Sequence, residues 1–545
     1  MQRLSTFGGP MPKMPSTSST MIVEPTLGYD VSQPSMDLQP GQTPLSDNYI
    51  LREGALEPRP MLVSTGTPAI AGPILGCWAS EDVNGVGYPV ISNQSRVAWF
   101  NGTAWSVASY VSAGGVDDPP STTSVAYWDM AQVYAPIPDQ NIVIMAAPSA
   151  QSMYCWASGA TVFSTLTEAP IAMHVATFDN YVLAFNTQDG AGNKFVQRVQ
   201  WSDRGDPFSW TPKASSLAGN QDLLDMVGAG MHLIGNENRL ILFSTDEIWQ
   251  GFTGQFPNTF VFQPFDRTQG CPFHRTITIT QTGVFFLGGD FRVYYLAETG
   301  GPAQLVGEPV HRAIRETIDT PERSFGVYDP ITNHYQLHYC VKGGTGRPQK
   351  ALYLNLTTGK WAPQSFDKTG GALALTTGFV TTVAASTGTT WSQASTAGFK
   401  WNTVTGAWAD MQAIANSIPV VYAAASTGTI GQFSSTATND LGADVECFWR
   451  SSSLMGSQPQ VQKTIREFRV DYQTTSNSSL TVLWSRNQGA SYDAGTGLSL
   501  LASSGESQAI QYPYVAARYP SFKVSQQGSR ARAERFWIEY TIGGR

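Results

Sequence analysis

The run HYQLHYCV (334–341) has the alternation of a β-strand. It would place His334, Gln336, His338 and Cys340 on one face and Tyr335, Leu337, Tyr339 and Val341 on the other. His-x3-His-x-Cys could supply three zinc ligands, but a structural zinc site takes four. No further Cys/His pair stands nearby at ligand spacing. The run therefore reads as a strand with a buried aromatic face and a partly wet histidine face. Acidic residues are common, yet no carboxylate pair stands in a context that marks an acid/base site. The GxSxG, HExxH, Walker-A and EF-hand patterns are absent. Asn-x-Ser/Thr sequons at Asn93, Asn101, Asn355 and Asn477 are expected by chance in a chain this rich in Ser and Thr. These residues predict no catalytic site, no metal and no cofactor, so the chain is not expected to be an enzyme.

WSDRGDPFSW (201–210) begins like the aspartate box of sialidase propellers. The match fails because Asp203 follows Ser202 directly and Trp210 comes five residues after Gly205. A sialidase would also need several boxes and an arginine cluster. The expectation is a structural turn, in which Asp203 and Asp206 bind backbone amides while Trp201 and Trp210 fill contacts between sheets.

The elements that must carry these residues are short strands broken by turn chemistry, from about residue 47 to 440. RLILF, STDE, IWQGF (239–252) reads as a hairpin, as does VFFL, GGD, FRVYYL (284–296). Residues 324–366 hold four strand-length runs and three turns, the size of one propeller blade. NLTTGKW (355–361) and NTVTGAW (402–408) share N-x-x-T-G-x-W, and FNGTAW (100–105) echoes it. The pattern supplies a polar turn with Gly, then a Trp (Trp361, Trp408) that begins the next strand and packs between blades. The spacing predicts an all-β chain: a β-propeller of six to eight blades. Residues 441–545 alternate strictly and predict an appended β-sandwich. Residues 1–46, rich in Ser, Pro, Thr, Met and Gly, read as an extended arm that a neighbouring subunit or adaptor would order.

Composition agrees. Across 545 residues, Gly (52) and Pro (33) exceed their usual combined share of ~12%, and charged residues fall to 14% against ~25% in an average soluble protein. Aromatics reach 11% with 15 Trp, which excludes a coiled coil, a helical solenoid and a disordered chain. No window approaches the ~18 consecutive apolar residues of a membrane-spanning helix, and the first residues carry no apolar signal core. Five scattered cysteines do not form a disulfide framework and read as free thiols made in a reducing cytosol. The net charge of −8 argues against ordinary nucleic-acid binding. Residues 441–545 carry 11 Lys and Arg against 8 Asp and Glu, so the preceding chain is at −11. The basic excess, including Arg466, Arg469, Arg530, Arg532 and Arg535, is expected to face an acidic partner surface or to pair within the sandwich.

The sequence also resembles the tail-tube or nozzle proteins of short-tailed bacteriophages, which include the packaged-DNA stabilisation proteins. The entry segment DNYILREGALEPRP (47–60) matches at Gly54, Ala55, Leu56, Arg59 and Pro60, with Met61 where the family usually has Gly. VQWSDRGDPFSWTP (199–212) follows, carrying Trp201, Asp203, Gly205, Asp206 and Trp210. ENRLILFSTDEIWQGFTG (237–254), Gly270-Cys271, GVFFLGGDFRVYYL (283–296) and YLNLTTGKW (353–361) come next, in the family's order. The resemblance covers roughly residues 50–440. It implies a propeller with an accessory β domain, assembled as a homohexameric ring that extends the tail channel below a head-to-tail adaptor. It further implies a structural virion protein, made in the host cytoplasm, that retains packaged dsDNA and conducts it during ejection. Partners would be its own copies, the adaptor, a tail fibre or tailspike, a tail plug, the DNA in transit and the host outer surface. The alternatives are a propeller-fold glycan hydrolase and a receptor-binding tail module.

Overall fold

The computed structural model describes all residues except 1–17, 69, 71, 95, 102–103, 113–114, 118–126, 147–152, 237–238, 255–257, 367–373, 385–416, 456–459 and 543–545. Two compact units emerge. One is Arg59–Val445, and the other joins the two chain ends, Met1–Pro58 and Glu446–Arg545.

Arg59–Val445 is a β-propeller, with seven four-stranded antiparallel blades among the described residues. Blade one begins with Gly76–Glu81, blade two with Asp129–Ala135, blade three with Ile171–Phe178 and blade four with Gly230–Asn236. Blades five, six and seven begin with Thr278–Ile279, Phe325–Asp329 and Leu375–Ala384. The opening strand of blade seven adjoins those of blades six and one, which closes the ring. Blade seven takes its fourth strand from the start of the unit. Met61–Gly66 pairs with Ile430–Ser434, outside Ser417–Ala425. That pairing ties one end of the unit to the other. Blades one and two are also joined at their rims, where Trp105–Ser112 runs parallel to Val162–Thr165.

The sequence reading of 324–366 survives in detail: Phe325–Asp329, His334–Tyr339, Lys350–Asn355 and Lys360–Ser365 form blade six in that order. Both predicted hairpins are present in blades four and five. One expectation needs correction. All six residues of His334–Tyr339 are buried, so the histidine face is not wet. Blades stack face against face, and an inner strand of a blade is covered on both sides.

The second unit is a β-sandwich. One sheet contains Lys463–Thr474, Ser503–Gln511 and Arg532–Ile542; the other contains Glu446–Arg450, Ser478–Ser485 and Ser521–Gln527. Phe468 and Phe536 from the first sheet pack against Trp449, Trp484 and Phe522 from the second. The N-terminal segment belongs to this unit. Ser18–Val23 pairs residue for residue with Thr541–Phe536, and the hairpin Tyr49–Arg52, Ala55–Pro58 joins the same sheet through Leu56 and Ala533. Within the expected arm of 1–46, Ser18–Val23 is therefore a strand of this sheet, held by its own chain, while residues 1–17 lie outside the described residues; the propeller begins at Arg59 rather than near 47.

The same pairing accounts for the basic C-terminal residues. Arg535 meets Glu24 at 3.0 Å, Arg532 meets Glu53 at 3.0 Å and Arg530 lies 3.7 Å from Glu57. Arg469 pairs with Glu467, and Arg466 reaches the Thr541 hydroxyl at 3.4 Å. With both chain ends together, the sandwich holds 14 Lys and Arg against 13 Asp and Glu, and the propeller 19 against 28. The excess negative charge thus lies on the propeller.

Candidate functional site

The opening strand of each blade lies nearest the propeller axis, and chemistry-bearing side chains gather near the starts of these strands. Asp129 is the first residue of blade two, His174 the fourth of blade three and His232 the third of blade four. His274 and Arg275 come from the 3-10 turn His274–Thr276 that leads into blade five. Three of the chain's six histidines thus meet at one end of the axis.

Asp129 Oδ2 lies 3.3 Å from His174 Nδ1 and 3.3 Å from His232 Nδ1, and it accepts the Val175 amide at 3.3 Å. Its Oδ1 accepts the Met130 amide at 3.1 Å. The ring of His274 packs edge-on against His174, with centroids 4.8 Å apart. Burial alone would raise the Asp129 carboxyl, but the adjoining His232 and His174 outweigh it and hold the group well below the usual carboxylate range. Burial depresses both His174 and His274, the latter strongly. Side-chain exposure is 3% at His174 but 15% at Asp129 and 20% at His232, which leaves solvent a path to the cluster.

Arg275 fills the axis itself. Its guanidinium lies 3.6 Å over the Tyr127 ring ahead of blade two and 5.4 Å from Phe325 of blade six. It donates to the Thr376 carbonyl of blade seven at 2.7 Å and to the Arg323 carbonyl at 3.3 Å. Blades two and five face each other across a seven-bladed ring, so this one side chain crosses the centre. Cys77 of blade one completes the layer, 3.1 Å from the Thr377 hydroxyl.

The residues singled out by sequence do different work. Gly54, at φ +79°, forms the tight turn of the Tyr49–Pro58 hairpin together with Glu53, and Leu56 buries itself in the same sheet. Arg59 is fully buried. It forks onto Asp440, donates to the Pro60 carbonyl at 3.0 Å and the Ser365 carbonyl at 3.2 Å, and lies 4.3 Å over Phe366. Asp440 also accepts the Leu62 amide at 2.7 Å, so this pair fixes the start of the closing strand. Asp203 accepts the Arg204 and Leu217 amides and Asp206 the Phe208 amide. Gly205, at φ +73°, donates to the Asn180 carbonyl at a point where a Cβ would come within 3.2 Å of the Asn180 side chain. Trp201 donates to the Leu217 carbonyl, and Trp210 is buried in the core shared by blades two and three. Trp361 donates to the Val306 carbonyl at 3.2 Å, and Trp408 lies outside the described residues. None of these residues belongs to the axial cluster.

His338 stacks on Phe325 and is 3.3 Å from Gln336, and burial lowers its pKa to about 3. Cys340 is a free buried thiol, and burial pushes it up to about 11. All five cysteines are free. Sequence reasoning missed Asp129, His174, His232, His274 and Arg275. Their only shared signal is spacing: steps of 45, 58 and 42 residues from Asp129 to His274, each near one blade length.

No protein-family model and no curated protein sequence matches the chain. Among solved structures it is similar to virginiamycin B lyase from Staphylococcus aureus, at 10% identity over 68% of this chain and 98% of that one, with a TM-score of 0.37. It is similar to the Pan2 WD40 domain of Neurospora crassa at 6% identity, over 71% and 97% of the two chains, with a TM-score of 0.34. BamB from Moraxella catarrhalis aligns at 12% identity over 76% and 96%, with a TM-score of 0.32. These neighbours are β-propellers of varied function, and the likeness is one of fold.

Proposed function

We propose that the chain is a structural virion protein, the tail nozzle of a short-tailed bacteriophage, whose copies form a ring that retains packaged dsDNA and conducts it during ejection. The observation that carries the reading is the ordered series of motifs from 47–60 to 353–361. Two of its segments, 47–60 and 199–212, fall on the hairpin and buried Arg59 at the start of the propeller and on the Asp203–Trp210 turn between blades. The fold that the resemblance implies, a propeller with a further β domain, is the fold observed.

Arg275 constrains the mechanism. A propeller axis crossed by a guanidinium does not admit a duplex, so DNA must pass between copies arranged around a common axis. A conduit should also not hold its cargo, because each phosphate contact made must be broken for the DNA to advance. The propeller's 28 acidic against 19 basic residues suit such a wall. The glycan-hydrolase alternative needs two carboxylates flanking a sugar linkage, and the axial cluster of described residues offers Asp129 alone. Light scattering coupled to size exclusion, with image averages of the purified protein and its adaptor, tests the reading. A six-fold ring at six times 58.9 kDa, docking on the adaptor, is the expected result. A monomer that ignores the adaptor would overturn it.

A further inference from the structure

We propose that Asp129, His174 and His232 form a binding site for one divalent transition-metal ion of the zinc class, set in the entrance of the propeller axis.

The donor atoms of the three side chains all lie within 4.8 Å of one another. The two distances to Asp129 Oδ2 are both 3.3 Å. Metal bonds of ~2.0–2.1 Å to imidazole and carboxylate put neighbouring ligands of a tetrahedron about 3.3–3.4 Å apart. The same 3.3 Å is long for a charge-assisted hydrogen bond, which closes to ~2.7–2.9 Å. Asp129 Oδ2 has three nitrogens around it at that distance and none closer. His232 Nδ1 is the sharper case. It is enclosed and lies 3.3 Å from the carboxylate oxygen, longer than a strong charge-assisted bond. Two imidazole nitrogens and one carboxylate oxygen thus converge, with both edges to the oxygen at the spacing of ligands around a cation. The remaining edge, between the two imidazoles, is no longer than 4.8 Å, and His232 is the more exposed of the two.

The chemistry of the set selects the ion. Two imidazoles and one carboxylate suit zinc and its first-row neighbours, whereas calcium and magnesium take oxygen shells. Three protein ligands leave a fourth position, and the exposed edges of Asp129 and His232 direct it to solvent. The ligands come from three successive blades, so the ion would staple blades two, three and four. His274, packed edge-on against His174, fixes the plane of that ring.

Full-length protein is stripped with a chelator, dialysed and titrated with zinc by calorimetry. One zinc per chain with micromolar or tighter affinity is expected. His232→Gln and Asp129→Asn should each weaken binding by at least about 10-fold, the lower range seen when even an outer-shell partner is lost. His311→Gln, on the helix Glu308–Thr317, should leave it unchanged. Circular dichroism of the metal-free variants checks their fold. Should both ligand variants fail to fold, the wild-type protein loaded with one equivalent of copper decides the matter. Spin-echo modulation from two coordinated imidazoles supports the site, and modulation from none overturns it. Absence of zinc binding at micromolar concentration, or full affinity retained in both folded variants, also overturns it.

Discussion

His338 sits 1% exposed in the second strand of blade six, stacked flat on Phe325 with centroids 4.6 Å apart. Burial, with a smaller push from the nearby Arg59 cation, lowers its pKa to about 3, against ~6.5 in an unfolded chain. Between those values the unfolded state binds a proton that the folded state refuses. Stability contributed by this residue is therefore complete above about pH 6.5 and falls as pH drops toward 3, by about 1.4 kcal/mol per unit inside the window. From pH 7 to pH 5 the loss is about 2 kcal/mol. Urea unfolding of the wild type and of His338→Phe, which keeps the stack, should show a shallower pH dependence in the variant by that amount. Identical slopes would mean that His338 is protonated in place. A run of His, Gln and Cys on one strand face was legible as a candidate ligand set and was read as non-ligating. What sequence could not show is that the face is dry, because Phe325, Tyr353 and Phe366 close over it only once the blade has folded, with Arg59 arriving from the start of the unit. The axial cluster was illegible for the same reason on a larger scale: Asp129, His174 and His232 are isolated in sequence, and only the turn of the ring brings them within 4.8 Å.

Hairpins were the most readable elements, since a short polar or Gly-rich turn (STDE at 244–247, GGD at 288–290) between two apolar runs states both strands and their pairing locally. Ser18–Val23 falls within the expected extended arm because nothing local marks it as a sheet strand: its burial alternates between exposed and half-buried until Val23, and its partner lies more than 500 residues away. Its role is to cover the edge of Arg532–Ile542 that Phe536–Thr541 would otherwise leave open. A six-residue ladder at ~0.5–1.5 kcal/mol per net hydrogen bond, less the entropy of ordering it, stabilises the sandwich by on the order of 2 kcal/mol. Removing residues 1–23 should therefore speed amide exchange across Phe536–Thr541 and lower the sandwich's unfolding midpoint, while the blades keep their protection. If exchange at those amides is unchanged in the truncated chain, the strand does not hold the edge and the arm acts elsewhere.

Charge is the property that belongs to the whole molecule. Of the two expectations for the basic C-terminal residues, an acidic partner surface or pairing within the sandwich, the second is observed at Arg535, Arg532 and Arg530, which face Glu24, Glu53 and Glu57 of the N-terminal segment. With those cations paired, the chain keeps no strongly basic unit: the sandwich is at +1 and the propeller at −9. In the proposed ring, several copies around one axis would multiply the propeller's charge, and the field near the wall would be screened only beyond about 8 Å at physiological salt. A duplex between such walls would be repelled from all sides and make few contacts that must break as it advances. Fluorescence anisotropy with a labelled duplex should accordingly show no binding at protein concentrations where ordinary non-specific binders, at ~1–100 µM, are saturated. Lowering the salt should not rescue it, because a wall that neutralises few phosphates releases few of the duplex's condensed counterions. Duplex binding that strengthens steeply as salt falls, with a log–log slope of several, would count against the repulsive wall. Retention would then rest on Lys and Arg contacts to phosphate, and the residues to replace would be those cations of the propeller that no carboxylate meets.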